Sequence, residues 1–343
     1  MALFPANNTS LVLEEYITNT TLSFQINENL VVLLPHSLVY FYHFCVTYVT
    51  FIIWIIAFPS NILIIIILTK KKQISSSTCV YFLSLACGDL CVNFRTLNFW
   101  LVRSKLVTYT TDFECQIEKG YPLLGMLASS WTLATISSER MLCVAIPYKM
   151  KDVCTTTLAR AVVIVIWSIS LIIAIMNGWF YRRGITACDL KYDHRDIFIN
   201  HIAYLDYFLD VVIPFFIILV NSVITLIRLR YWKTNTHTGP NAFGKSVTVL
   251  VLCVNTIFFI TQVPYGIVFL VQRATADSAS ELRMLYLHYL EGILLVLKYV
   301  NYSVNFYIYF LTASKFRKET RDVLLLCKNR VLTLCSRSKC CQQ

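Results

Sequence analysis

The sequence has little charge, little glycine and little proline for its length. Only 14% of its 343 residues are Asp, Glu, Lys or Arg, whereas 57% are hydrophobic; a soluble domain carries about 25% charged residues. Nine glycines and eight prolines leave no room for long flexible linkers. The composition therefore excludes an ordinary soluble domain and favours a membrane protein with short loops.

Several signatures of other functional classes are also missing. No Cys-x-x-Cys pair occurs with a matching second pair or His, which argues against a zinc site. The net charge of +11 comes from short basic clusters between apolar runs, not from a basic face interleaved with aromatic residues. No phosphate-binding loop or nucleophile, base and orienter motif is present. We therefore expect neither an enzyme nor a nucleic-acid partner.

Seven stretches are apolar enough and long enough to cross a bilayer, which takes about 20 residues per helix. They cover residues 40–69, 78–102, 114–144, 157–180, 201–231, 245–271 and 284–311. The sequence thus predicts an all-α membrane protein, a seven-transmembrane helix bundle over residues 40–311. An N-terminal arm (1–39) and a C-terminal segment (312–343) flank it.

Basic residues predict the orientation of this bundle. They follow the first, third, fifth and seventh stretches, at Lys70, Lys71, Lys72, Lys149, Lys151, Arg228, Arg230, Lys233, Lys315, Arg317, Lys318 and Arg321. By the positive-inside rule these loops are cytoplasmic, so the N-terminus is extracellular and the chain is a multi-pass protein of the plasma membrane. The first thirty residues contain no Lys or Arg, so a cleavable signal peptide is not expected and the first helix targets the chain.

Modification sites agree with that orientation. Asn7, Asn8 and Asn19 begin Asn-x-Ser/Thr tripeptides in the extracellular arm and are predicted glycosylation sites; the alternative is that the tripeptides are unused. At the other end, residues 314–326 predict a short amphipathic helix on the membrane lipid, with Phe316, Val323 and Leu324 on one side. Cys327 follows as a palmitoylation candidate, and an unmodified cysteine tail is the alternative.

One characteristic residue or motif occurs in each helix, in order. These are Asn61, Asp89 after Leu85, Cys115 with Glu139-Arg140-Met141, Trp167, Pro214, Pro264, and the segment from Asn305 to Tyr309. Together they resemble the rhodopsin-like (class A) G-protein-coupled receptors over residues 40 to 327. The spacing is physically consistent, because the 25 residues from Cys115 to Arg140 span about 37 Å as a helix.

The resemblance implies roles for several residues. Cys115 would form a disulfide with Cys188 in the loop before the fifth helix, the alternative being two free extracellular thiols. Arg140, with Glu139 and Tyr309, would serve coupling to a heterotrimeric G protein, the alternative being an arginine that only reaches the membrane interface. No acid lies near the start of the sixth helix, so a salt bridge from Arg140 to that helix is not expected, and we expect appreciable basal activity.

The resemblance also implies a sodium site in the inner half of the bundle. Asp89 would bind the ion together with Ser129, Asn301 and Asn305, because a carboxylate in mid-membrane is costly unless it has partners. A water-filled cluster without sodium is the alternative. No other cofactor is expected.

Three positions depart from the family pattern. Gln262 stands where the family has a tryptophan two residues before the sixth-helix proline, and Ser222 where a tyrosine is common in the fifth helix. Phe306 replaces a proline in the seventh helix, so the usual bend there loses its cause. The detailed route of activation is therefore expected to differ from that of the family.

The ligand class follows from what the resemblance excludes. Amine receptors carry an Asp where this chain has Pro122, so an amine receptor is not expected. A visual pigment needs a Lys where Tyr299 stands; Lys298 is the neighbour and is predicted to point away from that position. Glu118 occupies a counterion position, which leaves a retinal-binding photoreceptor as an unfavoured alternative.

Charged residues are expected to form an acidic ligand-binding cup in the outer half of the bundle. The cup contains Arg95, Glu118, Asp206, Asp210, Glu291 and Lys298, with Gln262 below it. Asp206 and Asp210 are four residues apart, which predicts one common helix face. We expect the extracellular ligand to be a short basic neuropeptide, with either an amidated or a free C-terminus. The alternatives are charges that only neutralise one another, or a chemosensory receptor for a small molecule.

Overall fold

The computed structural model describes residues 36–70, 76–104, 106–147, 154–184, 188–191, 201–235, 242–275, 278 and 280–340. The predicted glycosylation sites Asn7, Asn8 and Asn19 lie outside these residues, as does most of the N-terminal arm. The same holds for the basic residues Lys71, Lys72, Lys149 and Lys151.

Nine helices and one hairpin make up the described part of the chain. Helix α1 runs through His36–His43, a π-helical segment at Phe44–Val49, and Thr50–Leu68; then follow α2 (Ser77–Arg103), α3 (Asp112–Ala145) and α4 (Thr156–Trp179). The antiparallel strands β1 (Tyr181–Arg183) and β2 (Cys188–Leu190) precede α5, which comprises Ala203–Tyr207, a π-helical segment at Phe208–Val212, and Ile213–Asn235. The chain continues as α6 (Ala242–Ala274), α7 (Glu281–Asn301), α8 (Asn305–Thr312) and α9 (Ser314–Cys340).

The seven predicted stretches correspond to α1 to α6 and to α7 with α8. Among the described residues, α1, α2, α4, α5 and α6 are each long and apolar enough to cross a membrane, and α7 with α8 forms a sixth, broken span. Helix α3 is more polar, and it packs against α2, α4 and α5. Its polar residues can therefore face other helices instead of lipid, which confirms the all-α seven-helix bundle.

The start of α3 is fixed by a capping box on the extracellular side. The Thr111 hydroxyl accepts the backbone N–H of Glu114 at 3.2 Å, and the Glu114 carboxylate accepts those of Thr110 and Thr111 at 2.6 and 3.3 Å. These N–H bonds lower the pKa of the exposed Glu114 carboxyl from 4.5. The box satisfies backbone donors that the first turn of a helix leaves free.

The bend in the seventh span corrects one sequence prediction. Helices α7 and α8 meet at 43° although Phe306 replaces the family proline. A side chain from α1 supplies another cause: Asn61 Nδ2 donates to the Tyr302 carbonyl at 2.9 Å, between the two helices. The Ser303 hydroxyl also donates to the Tyr299 carbonyl at 2.9 Å. Insertion of side chains into a backbone ladder bends a helix without proline.

The amphipathic C-terminal helix is present but longer than predicted. Helix α9 continues to Cys340, whereas the sequence predicts an end near Leu326. Phe316 and Val323 are buried and pack on the bundle, as predicted, but Leu324 is 54% exposed, so its placement on their side is wrong. Leu324, Leu325 and Leu326 together form an exposed apolar edge, which suits contact with lipid. The Cys327 side chain lies outside the described part, so its acylation stays a prediction.

Candidate functional site

The extracellular hairpin is tied to the outer end of α3. Cys115 and Cys188 form a disulfide, which confirms the predicted pairing. Beside it, the Arg183 backbone N–H donates to Asp112 Oδ1 at 2.7 Å, and its guanidinium donates to the Thr110 carbonyl at 3.0 Å. The hairpin is thus held to α3 by one covalent bond and two hydrogen bonds.

A buried ion pair joins α5 to α7 in the outer half of the bundle. Lys298 Nζ lies 2.8 Å from Asp210 Oδ2, and Ser130 of α3 donates to Asp210 Oδ1 at 3.0 Å. Lys298 and Asp210 are each only 4% exposed. The sequence predicts that Lys298 points away from the pigment lysine position; the structure places it inside the bundle, bound to a carboxylate.

One aromatic side chain, Tyr265, and one acidic side chain, Glu291, extend this arrangement. Lys298 Nζ lies 5.0 Å from the centre of the Tyr265 ring, and the Tyr265 hydroxyl donates to Glu291 at 3.5 Å. Ser130, Asp210, Lys298, Tyr265 and Glu291 therefore connect α3, α5, α6 and α7, and we call them the outer polar network. Sequence reasoning did not identify Ser130 or Tyr265, because hydroxyls are common in membrane helices.

A second charge pair joins α2 to α3. Arg95 forms a salt bridge with Glu118, which is 3% exposed and also accepts a hydrogen bond from Asn98. Arg95 thus pairs with Glu118 and Lys298 with Asp210, so both cations of the predicted cup are paired with acids of the cup. The alternative of mutual pairing therefore describes four of its six charges.

The remaining acids of the cup are Asp206 and Glu291. Asp206 accepts a hydrogen bond from Asn177 of α4, whereas Asp210 contacts α3 and α7, so the two carboxylates have different partners. Their charges nevertheless interact, and their common helix face stays a prediction. Within the described residues, neither Asp206 nor Glu291 has a salt bridge.

Arg273 is a further charged residue at the outer end of α6, and sequence reasoning missed it. Its Nε and Nη1 atoms are buried without a hydrogen-bond partner in the part of the chain that the structure describes. Its guanidinium lies 5.3 Å from the centre of the Phe269 ring, and its charge interacts with Glu291. Buried guanidinium N–H groups ordinarily have acceptors, so these point to a missing one.

Gln262 lies at the floor of the outer half. Its side chain is 1% exposed, and Nε2 contacts the Tyr302 hydroxyl at 3.5 Å, whereas Oε1 is buried without a partner among the described residues. This residue therefore connects α6 to the bend between α7 and α8, where the family tryptophan would stand.

The predicted sodium residues come together only in part. Asp89 accepts hydrogen bonds from Ser129 at 2.8 Å and from Asn305 at 2.6 Å, and it is wholly buried. Asn301 is also buried, but it has no hydrogen bond to Asp89 in the described structure. A buried carboxylate with an adjacent hydroxyl supplies oxygen atoms of the kind that sodium prefers, so Asp89 and Ser129 fit the ion.

Arg140 is held by its neighbour and by α2. Its guanidinium lies 2.9 Å from Glu139 Oε2 and donates to the Thr78 hydroxyl at 2.7 Å. Glu139 also accepts hydrogen bonds from Ser77 and Thr78. The described partners of Arg140 thus include no residue of α6, as expected from the lack of an acid there.

An uncharged network joins α6 to α3 and α5 near the same end. Asn255 Nδ2 donates to Ser137 at 2.6 Å and to Ser222 at 2.9 Å, and Asn221 Nδ2 donates to Ser138 at 2.8 Å. We call these five residues the inner amide network. Ser222, which replaces the family tyrosine, is an acceptor in it. The sequence signal for Asn255 was a single amide within an apolar run.

A cavity of about 240 Å³ opens between the inner ends of α1, α2, α6, α8 and α9. Thr78 and Tyr309 line it, and Tyr309 packs on the rings of Phe82 and Phe316 at 4.8 and 5.7 Å between centres. The Thr78 hydroxyl that binds Arg140 therefore borders the same space as Tyr309. The residues predicted for G-protein coupling meet at one end of the bundle.

Comparison with known proteins agrees with this arrangement. Residues 60–309 match the family described as 7 transmembrane receptor (rhodopsin family). The chain is 25% identical over 284 residues to the C5a anaphylatoxin chemotactic receptor 1 of Oryctolagus cuniculus, covering 79% of this chain and 77% of that protein. It is 25% identical to the galanin receptor type 2 of Rattus norvegicus, with 79% and 73% covered. It is 22% identical to the QRFP-like peptide receptor of Branchiostoma floridae, with 82% and 77% covered.

These findings and the helix bundle establish what kind of protein this is. The matched region begins one residue before Asn61 and ends at Tyr309, so it contains every anchor residue on which the resemblance rests. The chain is a multi-pass plasma membrane protein, and it belongs to the rhodopsin family of seven-transmembrane receptors.

Proposed function

We propose that this receptor binds a short basic peptide, amidated at its C-terminus, in the outer half of the bundle and signals to a heterotrimeric G protein. The observation that carries the proposal is the set of unsatisfied groups beside the outer polar network. Within the described structure Asp206 and Glu291 form no salt bridge, and Nε and Nη1 of Arg273 have no acceptor. Such a set complements a ligand with both cationic and amide groups.

A basic side chain of the peptide suits Asp206. This carboxylate is partly exposed and has an amide, Asn177, as its described partner, so an arginine or lysine would add a charge-assisted hydrogen bond. Asp210 is a poorer first contact, because Lys298 already occupies it in a buried pair. We therefore assign the ligand cation to Asp206.

A C-terminal primary amide suits Arg273 and Glu291 together. The amide oxygen can accept from the unpartnered guanidinium N–H groups, and the amide NH₂ can donate to the Glu291 carboxylate. A free carboxylate would meet Arg273 favourably but would be repelled by Glu291. Glu291 also contacts Tyr265, so a ligand bound there would act directly on the outer polar network.

The relatives support a peptide over the other ligand classes. The three comparison proteins are named as receptors for C5a anaphylatoxin, galanin and QRFP-like peptides. The photoreceptor alternative has less support, because the amine of Lys298 and the carboxylate of Glu118 each have another partner, Asp210 and Arg95. On the cytoplasmic side, Tyr309 lines the cavity between the inner helix ends, and Glu139 and Arg140 bond to Thr78, which lines the same cavity.

We also propose that sodium binds at Asp89 and Ser129 and favours the inactive receptor. The buried Asp89 carboxylate has hydroxyl and amide partners but no cation within the described residues, which supports the proposal. Exchange of sodium for choline should raise basal nucleotide exchange in the wild type but not in Asp89→Asn. Equal responses of the two proteins would refute the sodium site.

The experiment for the ligand uses pairs of basic peptides that differ only in a C-terminal amide or acid. Cells expressing the receptor are assayed for calcium and cyclic AMP. We expect the amidated member of a pair to be the stronger agonist, and Glu291→Gln to reduce its advantage. Asp206→Asn should weaken basic peptides by about 1–3 kcal/mol.

Two matched variants control for the loss of charge. Arg283→Gln and Asp322→Asn remove exposed charges from the start of α7 and from α9, and both should leave the response unchanged, unlike Arg273→Gln. Responses that are the same for acid and amide peptides would exclude the amide contact. Basic peptides that act equally on wild type and Asp206→Asn would exclude the cation contact.

A further inference from the structure

Two cysteines meet at the cytoplasmic end of the bundle. Cys143 lies in the last turn of α3, Cys154 lies two residues before α4, and their sulfur atoms are 3.7 Å apart. Both side chains are half-buried. Among the free cysteines that the structure describes, this is the pair whose sulfur atoms are in contact.

We propose that Cys143 and Cys154 form a redox-sensitive site, which a hydroperoxide oxidises to a reversible disulfide. The hydroperoxide first oxidises the Cys143 sulfur to a sulfenic acid and is itself reduced, with release of water or an alcohol. The Cys154 thiol then attacks that sulfur, an S–S bond forms, and the sulfenic oxygen leaves as water. A cytosolic thiol such as glutathione returns the pair to its reduced form.

The geometry needs only a small adjustment. An S–S bond is about 2.05 Å long, so the sulfur atoms must approach by roughly 1.6 Å. Rotation of the two side chains about their Cα–Cβ bonds can supply much of this approach, because the sulfur atoms are already in contact. The segment between the cysteines is short, so the disulfide would close a small loop between α3 and α4.

The environment of Cys154 affects how readily the pair is oxidised. Burial raises the pKa of Cys154 to about 12, with further contributions from Cys143 and Glu139 and an opposing one from Arg140. Tyr81 of α2 also lies within electrostatic range. Cys154 is therefore mostly protonated at neutral pH, so its attack on the oxidised sulfur is slow, and disulfide formation should need a sustained oxidant load.

The position of the pair connects it to signalling. Cys143 is three residues beyond Arg140, which is less than one helical turn. A disulfide would fix the start of α4 to the segment of α3 that presents Arg140. This part of the inference rests on the proposed function, and we expect oxidation to cause a loss of basal nucleotide exchange that a thiol reductant reverses.

The chemical test uses the full-length receptor in membranes, treated with hydrogen peroxide and then with a maleimide. Peptide mapping without reductant should show Cys143 joined to Cys154, with a loss of both from the alkylated pool and recovery after dithiothreitol. Cys143→Ser and Cys154→Ser should each abolish the crosslink, whereas Cys253→Ser should leave it intact. The site would be refuted if both cysteines stay open to alkylation or oxidise separately to sulfinic acids.

The functional test is independent of any ligand. Basal exchange on a G protein is compared before and after peroxide in wild type, Cys154→Ser and Cys253→Ser. Loss of exchange in all three would assign the effect to other oxidised residues and overturn the link to signalling. If the crosslink forms but the receptor shows neither basal nor peptide-stimulated exchange, the redox site stands and only the proposed function is contradicted.

Discussion

In the outer half of the bundle the helices are joined by opposite charges, whereas in the inner half they are joined by amides and hydroxyls. Lys298 with Asp210 and Arg95 with Glu118 cross between helices outside. Asn255 and Asn221 donate to serines inside. Of the ion pairs described there, Glu139 with Arg140 lies within a single helix, and the half-buried pair of Lys70 with Glu319 joins the end of α1 to α9, which is not one of the seven spans.

Ion pairs and neutral hydrogen bonds differ in the free energy that is lost when one partner is removed. Removal of one member of a buried ion pair leaves a charge without compensation, at about 3–5 kcal/mol. A neutral hydrogen bond between membrane helices contributes about 0.6 kcal/mol on average. The outer half is therefore the more strongly specified part, and the inner half is the part that can open at low cost when a G protein binds.

The largest expected effect is on the outer ion pair. Lys298→Met leaves Asp210 buried without its cation, so we expect a loss of about 3–5 kcal/mol in stability, measured by thermal unfolding in detergent. Addition of Asp210→Asn should recover most of that loss, because no uncompensated charge remains. Equal stabilities of the single and double variants would show that the pair does not specify the outer half.

The next effect is on the inner amide network. Asn255→Leu conserves volume but removes both donors that hold α6, so the open state should gain about 1–2 kcal/mol, a factor of roughly five to thirty. Basal nucleotide exchange at equal surface expression measures the gain. Thr256→Val on the exposed face of α6 is the control, and an unchanged basal rate in Asn255→Leu would contradict the comparison.

A smaller effect is expected where Arg140 meets α2. Thr78→Val removes one hydroxyl partner of Arg140, which should raise basal exchange about threefold for a bond of about 0.6 kcal/mol. Thr69→Val, whose hydroxyl bonds only within α1, should change nothing. A rise as large as that of Asn255→Leu would mean that Arg140, and not α6, is the main restraint.

The smallest effect tests whether burial, and not charge alone, gives the outer half its strength. The exposed Glu114 has a lowered pKa, so its carboxylate stabilises the fold above pH about 4.5 and that contribution is lost as pH falls further. Glu114→Gln should flatten the pH dependence of thermal unfolding slightly and shift stability at pH 7 little. A large loss of thermal stability in Glu114→Gln at pH 7 would show that the capping box contributes more than expected.

The sequence predicts the bundle well because lipid imposes simple rules. A helix in lipid must be apolar over about 20 residues, so hydropathy locates every span clearly except the more polar α3, and ordered anchors from Asn61 to Tyr309 identify the family. The disulfide between Cys115 and Cys188 follows from the same resemblance. The edges of the spans and the length of α9 were less accurate, since polar residues can continue a helix beyond the membrane.

The candidate site was harder to predict because its partners are distant in sequence. Lys298 and Asp210 are 88 residues apart, and nothing local shows that they pair. Asp206 and Asp210 are close in sequence, but one bonds to α4 and the other to α3 and α7, and their spacing does not predict these partners. Arg273 gives no sequence signal beyond its charge, and only its buried atoms reveal that acceptors are missing.

The bond from Asn61 to the Tyr302 carbonyl gives the α7–α8 bend a property that proline cannot give. A proline bend is fixed by a covalent ring within the bent helix itself. The α7–α8 bend depends instead on a hydrogen bond from the side-chain amide of Asn61 in another helix. The angle is therefore an equilibrium quantity, which a single receptor molecule can change and later restore. Evolution can likewise adjust it by substitutions in α1, without altering the residues of α7 or α8.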